Sequence, residues 1–167
     1  MSYRVEIHAL PPFGLLNLRA HEPAQVRLDS ALGFALPRIA NTTAGPDESL
    51  AFWLGPDEWL LRTADGAEIG LAARLRDAVA GTHAAVTVVS DAYTVFGIVG
   101  PEVGRILVQG TGIDVDPRVF PPGSCARTRF AKTRALLHAA GPDSTHHLYV
   151  PRSYGHYARR WLERARG

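Results

Sequence analysis

The order of predicted secondary structure repeats once along this chain, and this repeat is the strongest constraint on the fold. Each half predicts a strand, a helix, a loop, two strands and a second helix, at an offset of about 80 residues. Gly33 matches Gly112, and Gly81 matches Gly167, as glycines that end equivalent helices. We therefore predict one α+β domain built from two similar halves, about 13–82 and 86–167, with mainly antiparallel sheets covered by helices.

Turn residues, apolar periodicity and β-branched runs predict the individual elements. The first half contains strands at Leu15–Arg19, Phe52–Leu54 and Trp59–Leu61, and helices from about Glu22 or Pro23 to Leu32 and from about Ala67 to Ala80. The second half contains a strand at Tyr93–Val99, a helix from Pro101 to about Gln109, a strand pair at about Arg127–Ala139 and His146–Val150, and a helix at Tyr154–Arg164. We expect the Ser153 hydroxyl to cap the last helix.

The segment Ala51–Leu61 places aromatic residues on both sides of a turn. Gly55 and Pro56 favour a turn, and Asp57 and Glu58 follow them as acidic residues that accept local hydrogen bonds. Trp53 lies before the turn and Trp59 after it. The segment therefore predicts a hairpin, and the carboxylates fit turn formation better than paired acid/base catalysis.

Composition excludes several classes of protein. The chain has 167 residues and one cysteine, Cys125, so it forms no intramolecular disulfide and no cysteine-based metal cluster. No apolar run approaches the roughly 18 residues of a membrane span, and the N-terminal residues Met1–Glu6 contain no apolar leader segment. We expect a cytoplasmic protein that is neither exported nor embedded in a membrane.

Basic residues cluster in the second half, although the net charge is only +2. A nucleic-acid-binding protein usually carries a larger basic excess with exposed aromatic residues between the charges. Arginines are common at protein interfaces, so the clusters favour a surface that faces a protein partner. The clustered residues are Arg127, Arg129, Lys132, Arg134, Arg152, Arg159, Arg160, Arg164 and Arg166.

No catalytic, cofactor-binding or metal-binding residue is assigned from the sequence. The glycines of Gly97–Glu102 do not have the dinucleotide-binding spacing, and Pro101 removes an amide that would bind phosphate. His146 and His147 are adjacent, so on a strand they point to opposite faces. Cys125 lies near arginines that lower a thiol pKa, but no base is assignable to activate it.

Several motifs resemble the gamma subunit of heterotetrameric sarcosine oxidase, and they occur in that family's order. The clearest is Trp53-Leu54-Gly55-Pro56-Asp57-Glu58-Trp59-Leu60-Leu61. The others are Asn17–Arg19, Leu32–Pro37, Ser90–Ala92, Gly100-Pro101, Phe120–Gly123, Thr128–Lys132 and Val150–Tyr154. Only the short lead from Met1 to Phe13 precedes them, so we expect a reduced N-terminal arm.

The resemblance implies a fold related to the folate-binding domain of aminomethyltransferases and of YgfZ-like proteins. It also implies a complex whose other subunits carry the chemistry. In that family the alpha subunit holds NAD and tetrahydrofolate, the beta subunit holds FAD, FMN lies at their contact, and a delta subunit completes the heterotetramer. The gamma subunit is expected to hold no cofactor and to act in assembly and stability of the complex.

Two other functions remain open from the sequence. One is a delta-type subunit of the related N-methylglutamate dehydrogenase, and the other is a stand-alone folate-binding protein in which a pterin stacks on Trp53 or Trp59. For the favoured function, the expected partner contacts lie on a rigid proline loop and its neighbouring basic residues. These candidates are Pro121, Pro122, Arg127, Arg129, Lys132 and Arg152.

Overall fold

A computed structural model describes residues 2–167 and shows an α+β fold of ten strands and four α-helices within them. The strands are β1 (Glu6–Ala9), β2 (Gly14–Ala20), β3 (Thr43–Ala44), β4 (Ser49–Gly55), β5 (Glu58–Thr63), β6 (Ala84–Val88), β7 (Tyr93–Val99), β8 (Cys125–Phe130), β9 (Thr133–Gly141) and β10 (Thr145–Pro151). The helices are α1 (Ala24–Leu32), α2 (Glu68–Ala78), α3 (Val103–Gly110) and α4 (Gly155–Arg166). The predicted fold class is confirmed.

The chain divides into two compact units, the first of which is Pro12–Ser90. Its five strands form one sheet in the order β3-β4-β5-β2-β6, and every pairing is antiparallel. Alternate residues of β2, such as Leu16 and Leu18, pack with Leu28 of α1 and Leu75 of α2. The two helices therefore cover one face of this sheet.

The second unit combines the chain up to Pro11 with Asp91–Gly167. Its sheet has the order β1-β7-β10-β9-β8, again with antiparallel pairing throughout. Phe96 of β7 and Leu148 of β10 belong to a core that includes Ile106 of α3 and Leu162 of α4. A helix pair and a sheet thus enclose the core of this unit as well.

The two sheets have the same strand order when each strand is matched by its position in the chain relative to the two helices of its unit. Strands β2, β3, β4 and β5 correspond to β7, β8, β9 and β10, and β6 occupies the edge position that β1 occupies in the second unit. The edge strand of the first unit is therefore β6, which follows α2 in the chain. The edge strand of the second unit is β1, which precedes the first unit in the chain. The internal duplication stays a prediction, and equal strand orders support it.

Most predicted elements are present with small shifts, and Tyr93–Val99 has the predicted bounds. Gly33 adopts a left-handed conformation with φ 80° at the end of α1, as a C-terminal glycine should. The strand predicted across Arg127–Ala139 is wrong, because the chain turns at Ala131 and forms two strands. The predicted Ser153 cap is also wrong, since α4 begins at Gly155 after a 3-10 turn that contains Ser153, and no side chain caps it.

Candidate partner-contact surface

The tryptophan-flanked segment forms the tight β4–β5 hairpin that the sequence predicts. Trp53 pairs with Trp59, and Gly55 pairs with Glu58, with a register irregularity between these pairs. Exposed Pro56 and half-buried Asp57 form the turn. The Asp57 carbonyl accepts a 3.0 Å hydrogen bond from the Ala20 amide, so the turn is anchored to the end of β2.

Glu58 joins two of the sequence motifs. It is only 7% exposed, and its Oε1 accepts a 2.9 Å hydrogen bond from the side-chain amide of Asn17. Its Oε2 lies 3.2 Å from the guanidinium of Arg19. Asp57 points elsewhere, with Oδ2 3.6 Å from Nε2 of His21. These contacts give both carboxylates a role in holding the hairpin.

Trp59 is fully buried and is fixed at both its nitrogen and its ring. Its Nε1 donates a 2.8 Å hydrogen bond to the Pro37 carbonyl, and the guanidinium of Arg38 lies 5.3 Å from the ring centroid. Arg38 is held in turn by a 2.9 Å ion pair with Asp29. A pterin therefore finds no exposed face on Trp59, while Trp53 is half-buried.

Pro121 and Pro122 are exposed, and hydrogen bonds hold the loop before them. Asp116 accepts hydrogen bonds from the backbone and side chain of Arg118, which hold the pKa of this carboxyl well below its usual range. The Asp116 carbonyl also accepts the amides of Val119 and Phe120. The loop thus presents its prolines on an ordered backbone.

Phe120 packs over a buried histidine beneath this loop. Its ring is nearly parallel to that of His146, at a centroid distance of 6.5 Å. His146 Nε2 is buried and has no hydrogen-bond partner, and burial lowers the pKa of this imidazole. His147 contacts His138 edge to face, so the two adjacent histidines do point to opposite faces of β10.

The predicted basic residues lie along the β8–β9 hairpin. Arg127 and Arg129 are exposed on β8, and Lys132 is exposed in the turn. Arg134 of β9 lies directly opposite Arg129 and is also exposed. The sequence places these residues in one cluster, but the opposition of two arginines follows only from the strand register.

Arg152 is exposed in the 3-10 turn after β10, where it forms a 3.1 Å ion pair with Asp91. Because β10 runs antiparallel to β9, the end of β10 lies beside the start of β9. Arg152 is therefore at the same end of the sheet as Lys132. Pro121 and Pro122 precede the opposite end of β8, so the structure separates the predicted contacts into two groups.

Among residues 2–167, no group of three or more histidine, cysteine, aspartate or glutamate side chains is arranged to hold a metal ion. Cys125 is completely buried in β8. None of the helices in this part of the chain is long and apolar enough to cross a membrane.

Comparisons with known sequences agree on one family. The family model described as sarcosine oxidase, gamma subunit family matches residues 19–167. The chain is 34% identical over 137 residues to the sarcosine oxidase subunit gamma of Corynebacterium sp. strain P-1. This match covers 81% of the chain and 66% of the relative, so the chain spans slightly less than two thirds of that relative's length.

Solved structures show the same relationship in three dimensions. A chain of the heterotetrameric sarcosine oxidase from Corynebacterium sp. U-96, solved in complex with pyrrole 2-carboxylate, superposes with a TM-score of 0.89. The two chains are 26% identical, and the match covers 96% of this chain and 83% of the other. The aminomethyltransferase T of the glycine cleavage system from Bartonella henselae matches with a TM-score of 0.74 over 96% of this chain and 46% of its own. At 11% identity this second match shows a shared fold.

Proposed function

We propose that this chain, which belongs to the sarcosine oxidase gamma subunit family, is a non-catalytic subunit of a heterotetrameric, flavin-dependent sarcosine oxidase. Its role is assembly and stability of the complex, which carries out the oxidative demethylation of sarcosine. The observation that carries the proposal is the match to a chain of the Corynebacterium enzyme over 96% of the present chain, with a TM-score of 0.89.

The contacts of the polar side chains support a non-catalytic role. Glu58 is engaged by Asn17 and Arg19, and Asp116 is engaged by Arg118. A general acid or base must reach the substrate proton, and a nucleophile needs a positioned base. Cys125 is completely buried, so its thiol is not exposed to a substrate. The carboxylates of Glu58 and Asp116 already bind side chains that hold the fold.

The partners and cofactors in this proposal come from the family resemblance. The alpha subunit supplies the NAD and tetrahydrofolate sites, the beta subunit supplies FAD, FMN lies at their contact, and the delta subunit completes the assembly in the cytoplasm. In this chain we assign no cofactor site. The exposed prolines at 121 and 122, together with Arg127, Arg129, Lys132 and Arg152, are the proposed contacts with those subunits.

The test is affinity purification of the tagged chain from its native host, followed by native mass spectrometry and a visible absorption spectrum. The expected result is a complex of four different subunits with flavin absorbance that bleaches on addition of sarcosine. Bleaching by N-methylglutamate instead would assign the chain to the related dehydrogenase. A colourless monomer or homodimer would contradict the subunit role, and titration with tetrahydrofolate would then test the stand-alone folate-binding alternative.

A further inference from the structure

We infer that Arg129, Lys132 and Arg134, here called the basic hairpin, form a docking surface for an acidic segment of another subunit. Carboxylates of that segment are placed between Arg129 and Arg134. The inference rests on the proposed function, because it names the chemistry of one partner contact. It adds a charge requirement that the family match does not provide.

The first observation is the charge of the sequence around the basic hairpin. No aspartate or glutamate occurs from Gly123 to Gly141, a stretch that contains Arg129, Lys132 and Arg134. Several arginines elsewhere lie beside carboxylates of the same chain, in the pairs Arg4–Glu102, Arg19–Glu58, Arg38–Asp29, Arg118–Asp116 and Arg159–Glu163. A basic patch without internal acids is complementary to an acidic partner.

The second observation is the pairing of Arg129 with Arg134. They are direct cross-strand partners, so their side chains share one face of the sheet. Like charges in this position repel each other and destabilise a sheet, and both side chains are exposed. A carboxylate between them would remove the repulsion and accept charge-assisted hydrogen bonds from both guanidinium groups.

The backbone that carries these charges is fixed before any partner binds. The Ala131 amide at the turn donates a 2.7 Å hydrogen bond to the carbonyl of Gly110, the last residue of α3. Arg129 Nε donates to the Ala131 carbonyl over 2.9 Å. Phe130 is buried and packs edge to face on Trp161 at 4.7 Å. Such preorganisation lowers the entropic cost of docking.

These features fit an acidic protein segment better than a nucleic acid. The basic hairpin is short, and the whole chain has a net charge of only +2. Phe130, the aromatic residue between the charges, is 1% exposed and so offers no surface on which a base can stack.

The test uses two matched variants of the full chain, each purified from the native host with its co-purifying subunits. Arg134→Glu converts the repelling pair into an attracting one, so the isolated variant should unfold at the same or a higher temperature than wild type. It also removes docking charge, so its affinity for the other subunits should fall by about tenfold or more. The control Arg74→Glu makes the same charge change at an exposed position of α2 and should bind as wild type does.

Salt provides a second readout. Raising KCl from about 0.05 to about 0.5 M should weaken assembly of wild type and of Arg74→Glu, and should have a smaller effect on Arg134→Glu. If wild type assembles and Arg134→Glu binds the other subunits with the same affinity, the docking inference is overturned and the subunit role remains. Wild type that purifies alone would overturn the subunit role itself. Loss of co-purification on nuclease treatment would overturn the acidic protein partner.

Discussion

The side-chain amide of Asn17 donates a 2.9 Å hydrogen bond to Oε1 of Glu58, linking β2 to the tip of the β4–β5 hairpin. Arg19, the cross-strand partner of Glu58, places its guanidinium 3.2 Å from the other carboxylate oxygen. Two segments that resemble the family in sequence therefore meet in space at one buried carboxylate. In this chain, residues of both motifs hold β2 and the β4–β5 hairpin together.

Removing this carboxylate should destabilise the protein. Glu58→Ala leaves a part-buried amide of Asn17 without its acceptor, which typically costs about 1–3 kcal/mol. For a chain of this size, each kcal/mol lowers the melting temperature by about 2–4 °C. The control is Glu48→Ala at an exposed loop position, and thermal unfolding followed by circular dichroism measures both. Equal melting temperatures would contradict a structural role for Glu58.

Gly110 should tolerate no side chain, because it ends α3 against two aromatic rings. A Cβ there would lie 2.6 Å from Cε2 of Phe130 and 2.8 Å from Cη2 of Trp161. We expect Gly110→Ala to lower the free energy of unfolding by about 1–3 kcal/mol, as overpacking of a core usually does. Gly112→Ala is the matched control, since a Cβ there meets nothing within 4 Å. Urea unfolding compares them, and similar midpoints would show that the rings move aside.

His146 should make stability depend on pH in the neutral range. Burial lowers its pKa in the folded protein below the ordinary value of 6.5, so between the two values the unfolded chain binds more protons. Its contribution is therefore present above about pH 6.5 and is lost as pH falls through the folded pKa. We expect His146→Leu to reduce the loss in melting temperature between about pH 7.5 and pH 5.5.

The control for this titration is His156→Leu, which replaces an exposed histidine of α4. The direct measurement is the imidazole pKa by nuclear magnetic resonance in the folded protein. A pKa of His146 at or above its ordinary value would contradict the effect of burial.

Asp116 should make stability depend on pH in the acid range. Hydrogen bonds from Arg118 hold its pKa well below the ordinary 3.8, so the folded protein keeps this carboxylate ionised where the unfolded chain would protonate it. The contribution is present above the ordinary pKa and is lost as pH falls toward the lower one. Melting temperatures from about pH 6 to pH 2 should decline less steeply for Asp116→Asn than for wild type. Asp143→Asn is the exposed control, and parallel curves for Asp116→Asn and wild type would refute the effect.

Sequence alone predicts those elements whose signals are local. The run of β-branched and aromatic residues at Tyr93–Val99 is a strand. The helix predicted from about Ala67 to Ala80 is α2, with Leu71 and Leu75 buried on it and Val79 buried just after its end. The sequence does not predict the elements that form only through contact with another strand. β1 becomes a strand because it pairs with β7, and β3 has only two residues against β4.

The turn of the basic hairpin shows a different limit. Ala131 adopts φ 49°, a left-handed conformation that alanine rarely takes. The sequence does not signal this turn, because Phe130–Thr133 contains no glycine or proline. Tertiary contact stabilises it, because the Ala131 amide bonds to α3. The sequence therefore predicts the basic residues as contact candidates but not the opposition of Arg129 and Arg134, which depends on that turn.

The edge strand β1 gives the molecule an order of assembly during synthesis. β1 is followed in the chain by the whole unit of Pro12–Ser90, and only then by β7, its partner in the sheet. A ribosome adds about 5–20 residues per second from the N-terminus, so β1 leaves the exit tunnel well before β7 exists. The intervening unit contains every strand of its own sheet and can fold in that interval. Among the described strands, β1 is made first but cannot pair until β7 has been made, and a nascent chain stalled before β7 would leave it unpaired.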